Sequence, residues 1–373
     1  MPYRIAHIAD VHLDASFAGS GPLFGAKRRE QLRAAFERVL GLARVRRVDA
    51  LCIAGDLYED GRAGPDRAAY LRRTLGELAP MRVFISPGNH DPYMPSSVYR
   101  MLEPPPENVT IFRTRRFAAV ELAPSLTLWG SAHERPLDRD PMLGGFRCTG
   151  EGTHLLFYHG SDRDRIPPGK EAIAPFTSAD IERSGAAHAM IGHFHGFSHV
   201  GRYVYPGSPE PLNSTESGRH TASFVSIENG CVGLESVDVN HTRYIEEDID
   251  VEGIADAAHL ADAVRSRLAE LVPEPGAVFC RLRLRGIAPP SLDADIDALS
   301  REMAQAYPGT QIDKDFRTFD LDAIEREAAT VRAAFVKSMR RQLESAAAPD
   351  ERAALEKALD YGLLAFSGMR LRP

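Results

Sequence analysis

The stretch RIAHIADVH, residues 4–12, carries an apolar segment straight into Asp10 and His12, and the same pattern returns twice before residue 92. Residues 4–9 read as a buried strand. Residues 50–54 (ALCIA) are a second apolar strand and end in Gly55-Asp56. Residues 82–86 (RVFIS) are a third and end in Gly88-Asn89-His90-Asp91. Between them, residues 27–46 space Leu32, Phe36, Val39, Leu40 and Ala43 at helical intervals, and residues 64–78 read as another helix. A βαβαβ rhythm predicts parallel strands joined by crossover helices. Ligands of open α/β sheets gather at the carboxyl ends of strands. Three polar loops in that position imply one shared site.

Working outward, Pro104-Pro105-Pro106 is a linker or turn, and the pattern beyond it is strand-rich: 109–112, 117–122, 126–129, 154–158, 187–191, 203–205, 222–227 and 232–237. Asn229-Gly230 signals a hairpin between the last two. Many strands and few helices predict a second sheet packed on the first, giving an α/β two-sheet sandwich flanked by helices. Near Thr242 the character changes. Residues 244–249 (strand), 254–271 (helix) and 277–284 (strand) predict a compact βαβ unit, followed by Pro289-Pro290. Residues 292–306, 321–343 and 351–364 read as helices rich in Ala and charge. The expected organisation is a first domain over 1–243, a small α+β domain over 244–316 and a helical segment over 317–373.

The bulk numbers exclude some classes. With 373 residues, 43% hydrophobic and 26% charged, the composition is that of an ordinary globular chain. Cys52, Cys148, Cys231 and Cys280 lie far apart without a CxxC pair, so neither a zinc knuckle nor a redox dithiol is signalled, and scattered thiols suit a reducing compartment. No secretory pattern precedes Asp10, and no apolar run approaches the roughly 18 residues of a membrane span. The expectation is a cytoplasmic protein with no membrane partner. The net charge of -7 is uneven: residues 1–243 hold 28 Lys+Arg and 28 Asp+Glu, while residues 244–373 hold 17 and 24. That balance argues against a duplex-binding surface, which is usually basic. Two bound dications would nevertheless make the first part locally positive. The clusters Lys27-Arg28-Arg29, Arg44/Arg46/Arg47, Arg72-Arg73 and Arg113/Arg115/Arg116 read as solvated helix and loop faces.

The polar loops carry the chemistry. Asp10 and His12, two apart on a chain leaving a strand, present a carboxylate and an imidazole to the same side, enough to grip one metal ion. Alone, such a pair is common. Gly55 permits a tight turn that brings Asp56 close to backbone and metal, and a carboxylate, unlike an imidazole, can bridge two cations. Asn89 offers a hard neutral oxygen, and His90 beside it can give a proton without sitting on a metal. His159-Gly160 follows the strand at 154–158. Gly192-His193-Phe194-His195 follows the strand at 187–191 and presents two imidazoles from one face of an extended segment.

The ordered set D-x-H, G-D, G-N-H-D, H-G and G-H-x-H, each after an expected strand, resembles the calcineurin-like metallophosphoesterases over roughly the first 240 residues. The resemblance implies one divalent metal held by Asp10, His12, Asp56 and His195, and a second held by Asp56, Asn89, His159 and His193, with Asp56 bridging. Mixed N/O ligands suit manganese (Mn²⁺), Fe or Zn²⁺. His90 would be the catalytic residue that is not a ligand. Asp91 would either orient His90 or His12 or stabilise the turn. Paired cations about 3.5–4 Å apart would polarise the phosphoryl group and acidify water, with His90 offsetting charge or protonating the departing oxygen.

Substrate class is narrowed by three features. Residues 55–61 read GDLYEDG, whereas protein phosphatases carry GDxVDRG, and Asp60 stands where they have arginine. Residues 203–212 (YVYPGSPEPL) resemble the SbcD-type DNA repair nucleases, where such a segment returns to the rim of the site; a Gly-Ser turn there would expose backbone N–H groups to phosphate oxygens. The parts beyond Thr242 match that group's layout, which implies a capping domain that seats DNA and a helical segment that docks on an SMC-like coiled-coil ATPase. Ile324, Ala328, Val331, Phe335, Met339 and Leu343 form an apolar stripe that would meet such a coiled coil or pack on its own domain. Two departures stand out. Glu59 occupies a position where several of these nucleases have histidine, and the segment 92–102, where the group dimerises, is short, which argues against a homodimer. The leading expectation is a two-metal DNA repair exonuclease or endonuclease working with an SMC-like ATPase. The alternatives are a small-nucleotide phosphodiesterase or phosphatase, and a non-catalytic binding subunit of the same fold.

Overall fold

A computed structural model describes residues 2–17, 22–166, 171–213, 215–254, 256–272, 278–288, 292, 296–307, 309–327, 329–346 and 348–367. The chain divides into two compact units, Met1–Tyr244 and Ile245–Pro373.

Unit 1 opens with β1 (Tyr3–Ile8), α1 (Pro22–Val45), β2 (Ala50–Ile53), α2 (Pro65–Gly76), β3 (Arg82–Ile85), α3 (Val98–Met101) and β4 (Val109–Ile111). It continues with β5 (Ala118–Ala123), β6 (Leu126–Gly130), β7 (Thr153–His159), α4 (Ser178–Ser184), β8 (His188–Gly192), β9 (Ser198–Val200) and β10 (Tyr203–Tyr205), and closes with β11 (Thr221–Glu228) and β12 (Cys231–Asp238). One six-stranded sheet runs β12-β11-β1-β2-β3-β4, the other β5-β6-β7-β8-β10-β9. β1, β2, β3 and β4 pair in parallel, as the crossover helices require. So do β6, β7, β8 and β10.

Period-2 alternation divides each central strand between two cores. Ile5, Ala50, Cys52 and Phe84 face the second sheet and meet Leu128, Leu155, Phe157 and Met190. Ala6, Ile8, Leu51, Ile53, Val83 and Ile85 face the helices and meet Phe36, Val39, Ala43, Leu71 and Leu75. Both faces of β2 are therefore covered, and all four of its residues are buried.

The two-sheet sandwich is as expected, but its membership differs. The strands expected at 109–112, 222–227 and 232–237 join the first sheet rather than the second. β4 extends the parallel series, because the chain leaving β3 crosses over through α3 and returns to pair with β3. β11 returns antiparallel to β1, and β12 pairs antiparallel with β11 across Asn229 (φ 51) and Gly230 (φ 79), a two-residue turn with both φ positive.

Unit 2 contains a three-stranded sheet, β13 (Arg243–Asp250), β14 (Val278–Ile287) and β15 (Thr310–Arg317), in that order. The helices α5 (Ala257–Leu271) and α6 (Ile296–Ala306) cover one face, where Leu260, Val264, Leu268, Leu282, Leu284, Leu299 and Met303 are buried. β15 was not expected. Its sequence TQIDKDFR has only Ile312 and Phe316 as large apolar residues, yet it pairs with β14 in parallel from Thr310 to Arg317. Pro289-Pro290 and residues 277 and 293–295 of the expected elements lie outside the described residues. The single helix expected over 321–343 is two, α7 (Leu321–Glu325) and α8 (Val331–Ser345). Ala329 is left-handed (φ 52), and the Thr330 side chain accepts the Ala333 N–H to cap a new start. Ile324, Val336 and Met339 pack with Leu359 and Leu363 of α9 (Pro349–Phe366), so part of the apolar stripe turns into its own helices. Val331 is exposed, and Ala328 lies outside the described residues. Among the described residues no helix is long and apolar enough to cross a membrane.

Candidate metal centre

The loops that leave β1 and β2 are zipped together by backbone: Asp10 N–H donates to Gly55 O (3.1 Å), His12 N–H to Asp56 O (2.9 Å) and Leu13 N–H to Leu57 O (3.0 Å). The β3 loop is tied to them by Asp91, whose buried carboxylate accepts from the N–H groups of Gly88 (2.7 Å), Asp56 (3.0 Å) and Leu57 (2.7 Å) and from the Tyr99 hydroxyl (2.6 Å). Asp91 therefore stabilises the turn; it bonds neither His90 nor His12. Burial pushes its pKa up to about 6, and the Asp56 carboxylate adds to the rise. The loop after β8 is fixed by the His193 N–H, which donates to Asp10 Oδ2 at 3.0 Å.

This tethering holds the backbone in conformations that L-residues avoid. Asp10 (φ 54), His12 (φ 49), Asp56 (φ 53) and His193 (φ 115) all lie at positive φ. Each such residue costs on the order of 1–3 kcal/mol, and such strain concentrates at functional sites. Close approach matters as well. A Cβ at Gly88 would overlap the Asp56 carboxylate, and one at Gly192 would overlap the Ala54 carbonyl.

The eight residues singled out in the sequence converge. The ligand atoms of Asp10, His12 and His195 lie within 4.8 Å of one another, as do those of Asp56, His159 and His193. Asn89 Oδ1 is 2.9 Å from His159 Nε2. One oxygen of Asp56, Oδ1, is taken by the His90 N–H at 2.8 Å. The other, Oδ2, stands between the two groups, 3.3 Å from His159 Nε2 and 3.8 Å from His12 Nε2. The His90 ring lies edge-on to His12 with centroids 4.8 Å apart, and its side chain is 45% exposed.

Three residues that sequence reasoning had not placed complete the surroundings. Glu59 holds two imidazoles at once, His12 Nδ1 at 2.7 Å and His90 Nδ1 at 3.1 Å. It had appeared only as a departure from the family pattern. Glu216 holds His195 Nδ1 at 3.0 Å. The buried His133 places Nε2 2.8 Å from the His159 carbonyl oxygen. No spacing signal marks Glu216 or His133, since both reach the site from irregular segments.

Does this constellation suit cations? The His12 Nε2 atom is buried and has no hydrogen-bond partner, although a buried polar atom left unpaired is costly. His159 Nδ1 is 2.9 Å from the Ala54 carbonyl, which accepts its proton and leaves Nε2 as an electron-pair donor. That donor faces two more, Asn89 Oδ1 and Asp56 Oδ2. Donors crowded face to face, with imidazoles oriented from behind by carboxylate and carbonyl, are the arrangement of a metal site with its supporting shell. The residues fit a divalent pair. Without cations the same groups titrate abnormally. Burial works against charge on His159, and Asp56 outweighs it, leaving the pKa raised to about 9. Burial raises Asp10, while burial of Asp56 is overcome by His159, which holds that carboxyl well below the usual range. The hydrogen bond that His90 donates to the Glu59 carboxylate raises its pKa to about 9.

Two expectations are corrected here. The Gly207-Ser208 turn does not offer the Ser208 N–H to a phosphate, because it donates to the His195 carbonyl at 2.9 Å and so braces the histidine loop. Arg28 is not solvated. It is fully buried, and Nη1 donates to Glu210 (2.8 Å) and Nη2 to the Pro211 carbonyl (2.5 Å).

Strands on a two-sheet sandwich delivering acidic, amide and imidazole ligands to one cation-binding centre define a metallophosphoesterase. The chain belongs to the calcineurin-like phosphoesterase family, whose model matches residues 3–206. Among its relatives, the uncharacterized metallophosphoesterase YhaO of Bacillus subtilis is 24% identical over 326 residues, covering 80% of this chain and 78% of that protein. The DNA double-strand break repair protein Mre11 of Methanopyrus kandleri is 27% identical over 275 residues, covering 64% of this chain and 58% of that protein. Among solved structures, TT1561 of Thermus thermophilus aligns with 12% identity and a TM-score of 0.39, covering 63% of this chain and 99% of that one.

Proposed function

We propose that this phosphoesterase hydrolyses phosphodiester bonds of DNA, as a repair nuclease with exonuclease or endonuclease action, in partnership with an SMC-like coiled-coil ATPase. The observation that carries the hydrolytic part is the position of Asp56 Oδ2 between the His12 and His159 imidazoles. DNA as substrate is supported by the likeness to Mre11, a DNA double-strand break repair protein. One cation would be held by Asp10, His12, Asp56 and His195, the other by Asp56, Asn89, His159 and His193, with manganese the best match to this N/O set. Two such ions, when bound, supply Lewis-acid polarisation of the phosphoryl group and acidify water.

The chain's own residues do the rest. Glu59 fixes His12 and His90 in one relation, because a single carboxylate holds both Nδ1 atoms. With Nδ1 engaged, His90 has Nε2 to offer, and its half-exposed ring can give that proton to the departing oxygen. Glu216 and the Ala54 carbonyl keep His195 and His159 aimed inward.

The test sets single-stranded and duplex DNA beside a chromogenic phosphodiester, each with Mn²⁺ and with or without the ATPase. Cleavage of DNA supports the proposal. Turnover of the small ester but never of DNA, even with the ATPase present, retires it in favour of a small-nucleotide phosphodiesterase. Turnover unaffected by His90→Ala would remove His90 from the mechanism.

A further inference from the structure

Beside the metal centre lies a cavity of ≈ 340 Å³, lined by Ala15, Ser16, Phe17, Glu59, Arg62 and Leu212. It shares a wall with the centre, because Glu59 lines it and also holds His12 and His90. We propose that this cavity is a nucleoside subsite, with Phe17 stacking on a base next to the scissile phosphate and Arg62 receiving a neighbouring phosphate; the proposal rests on the phosphodiesterase reading above and names what its site recognises.

Four observations carry it. The first is chemistry. The side walls are apolar (Ala15, Phe17, Leu212), and the one cation of the lining, Arg62, is exposed, its guanidinium making no hydrogen bond or ion pair among the described residues. Nearby Arg67, by contrast, is paired with Asp14. An apolar slot with one unspent guanidinium beside a phosphoester site matches a flat, apolar base joined to an anion.

The second is rigidity. Phe17 is backed by the Arg28 guanidinium, 5.5 Å from the ring centroid. Arg28 is itself clamped by Glu210, Gln31 and the Pro211 carbonyl. The same buried cation thus holds both walls, Phe17 directly and Leu212 through the adjoining Pro211. A stacking platform fixed in advance loses little entropy on binding.

The third is strain. Phe17 has φ 45, a conformation that a bulky residue rarely adopts, in the same loop as Asp10, His12 and Asp14 (φ 73). The loop that carries two of the proposed metal ligands is the loop that presents the ring, so the two are set in register by one distorted segment. The fourth is size. The volume sits at the low end for small-molecule sites, about 300–1,000 Å³, room for one nucleoside.

The experiment compares two kinds of substrate that share a leaving group: methyl p-nitrophenyl phosphate, and the p-nitrophenyl esters of thymidine 5′- and 3′-phosphate, all with Mn²⁺. The wild type should prefer one thymidine isomer over the methyl ester in kcat/KM. In Phe17→Ala the ratio of the two values should fall by a factor of about 5 to about 140, the range for losing one base–aromatic stack. The loss should appear in KM more than in kcat. Phe17→Tyr should keep the ratio, and Phe17→Leu, which keeps apolar bulk without a ring face, should behave as alanine does. Arg62→Gln should weaken binding of a dinucleotide, which brings a second phosphate, more than that of either thymidine ester. Because each result is a ratio within one preparation, a partly unfolded variant does not imitate it. A wild type without nucleoside preference, or a preference that survives Phe17→Ala, overturns the subsite. A preference lost in Phe17→Ala by an enzyme that never cuts DNA upholds the subsite and removes the DNA assignment alone.

Discussion

The metal centre of unit 1 and the outer face of the unit 2 sheet both crowd charges together, and they do so in opposite ways. On β14, Arg281, Arg283 and Arg285 point away from the core, while Cys280, Leu282 and Leu284 point into it. Each of these arginines is met by carboxylates of the neighbouring strands. Arg283 bonds Asp248 at 2.8 Å, Arg285 bonds Asp248 at 2.9 Å and Asp315 at 3.1 Å, and Arg281 bonds Asp313 as well as Glu246. The pairs climb β13 and β14 in the same direction, as parallel neighbours would. This is an exposed face whose charges cancel. In the metal centre the charges are buried, the neighbours of Asp10 are imidazoles and a second carboxylate, and His12 Nε2 has no hydrogen-bond partner. The difference separates two uses of ionisable residues. A ladder of satisfied pairs is surface, whereas buried donors facing one another need something of opposite sign that the chain itself does not provide.

The contrast can be broken most decisively at its centre. Asp56→Asn keeps the shape and removes the charge. Loss of a supporting carboxylate behind a metal ligand typically costs 10–100-fold, so removing the carboxylate proposed to bridge should lower kcat/KM by more than about 100-fold and release bound metal measured by elemental analysis. Two equivalents of metal retained by this variant would end the bridging assignment. Next in size is Arg28. Replacing it by Met leaves Glu210 buried without its cation, which should destabilise unit 1 by about 3–5 kcal/mol in urea unfolding. A second change, Glu210→Leu, should recover part of that loss, since the penalty lies in the unpaired charge rather than in the missing bond.

A smaller effect tests the carboxylates behind the imidazoles. Glu59→Gln and Glu216→Gln should each weaken metal affinity or activity by about 10–100-fold. Glu59→Gln should in addition change the pH profile of turnover, because only Glu59 also touches His90. Identical profiles for the two variants would deny Glu59 its double role.

How much of this was legible in the sequence depends on whether a residue sits on a repeating element. The strand that precedes each motif was readable because β1, β2 and β3 are apolar, buried on both faces and cut off by glycine or aspartate. The convergence of Asp10, Asp56, Asn89, His159, His193 and His195 followed, since parallel strands bring their ends together. Glu59 and Glu216 were not readable as partners of histidine, because hydrogen bonding across 47 and 21 residues leaves no periodic trace. Arg28 was misread for a related reason. In a Lys-Arg-Arg run on a helix, nothing local says which cation will find a carboxylate 182 residues away. β15 was missed because its outer face is the charged ladder itself, so its strand period is carried by alternating acids and bases rather than by apolar residues.

Buried histidines away from the centre give a pH handle of moderate size. His7 on β1 is fully buried with neither ring nitrogen hydrogen-bonded, and burial lowers its pKa to about 3. Its folded pKa lies below the unfolded value of about 6.5, so the unfolded chain takes up the proton first. Stability is therefore unaffected above about pH 6.5 and is lost as pH falls from there toward 3, at about 1.4 kcal/mol per pH unit. His7→Leu should flatten that part of the urea-midpoint profile, and a slope unchanged in the variant would trace the acid sensitivity to other groups.

The smallest effect belongs to the ladder, where the contrast predicts near silence. Arg283 is 33% exposed and Asp248 40% exposed, so water screens their attraction and each side chain gives up rotamer freedom to hold the pair. Arg283→Ala should move the thermal midpoint by no more than about 3 °C, and less at 1 M salt, where the screening length is about 3 Å. It also leaves Asp248 with Arg285, so no carboxylate is stranded. The same substitution should leave DNA cleavage untouched, because an arginine already flanked by carboxylates has no charge to lend a phosphate. A variant that lost DNA binding with a weakened salt dependence would show that the ladder opens to nucleic acid, and the distinction between a satisfied surface and a wanting site would have to be drawn elsewhere.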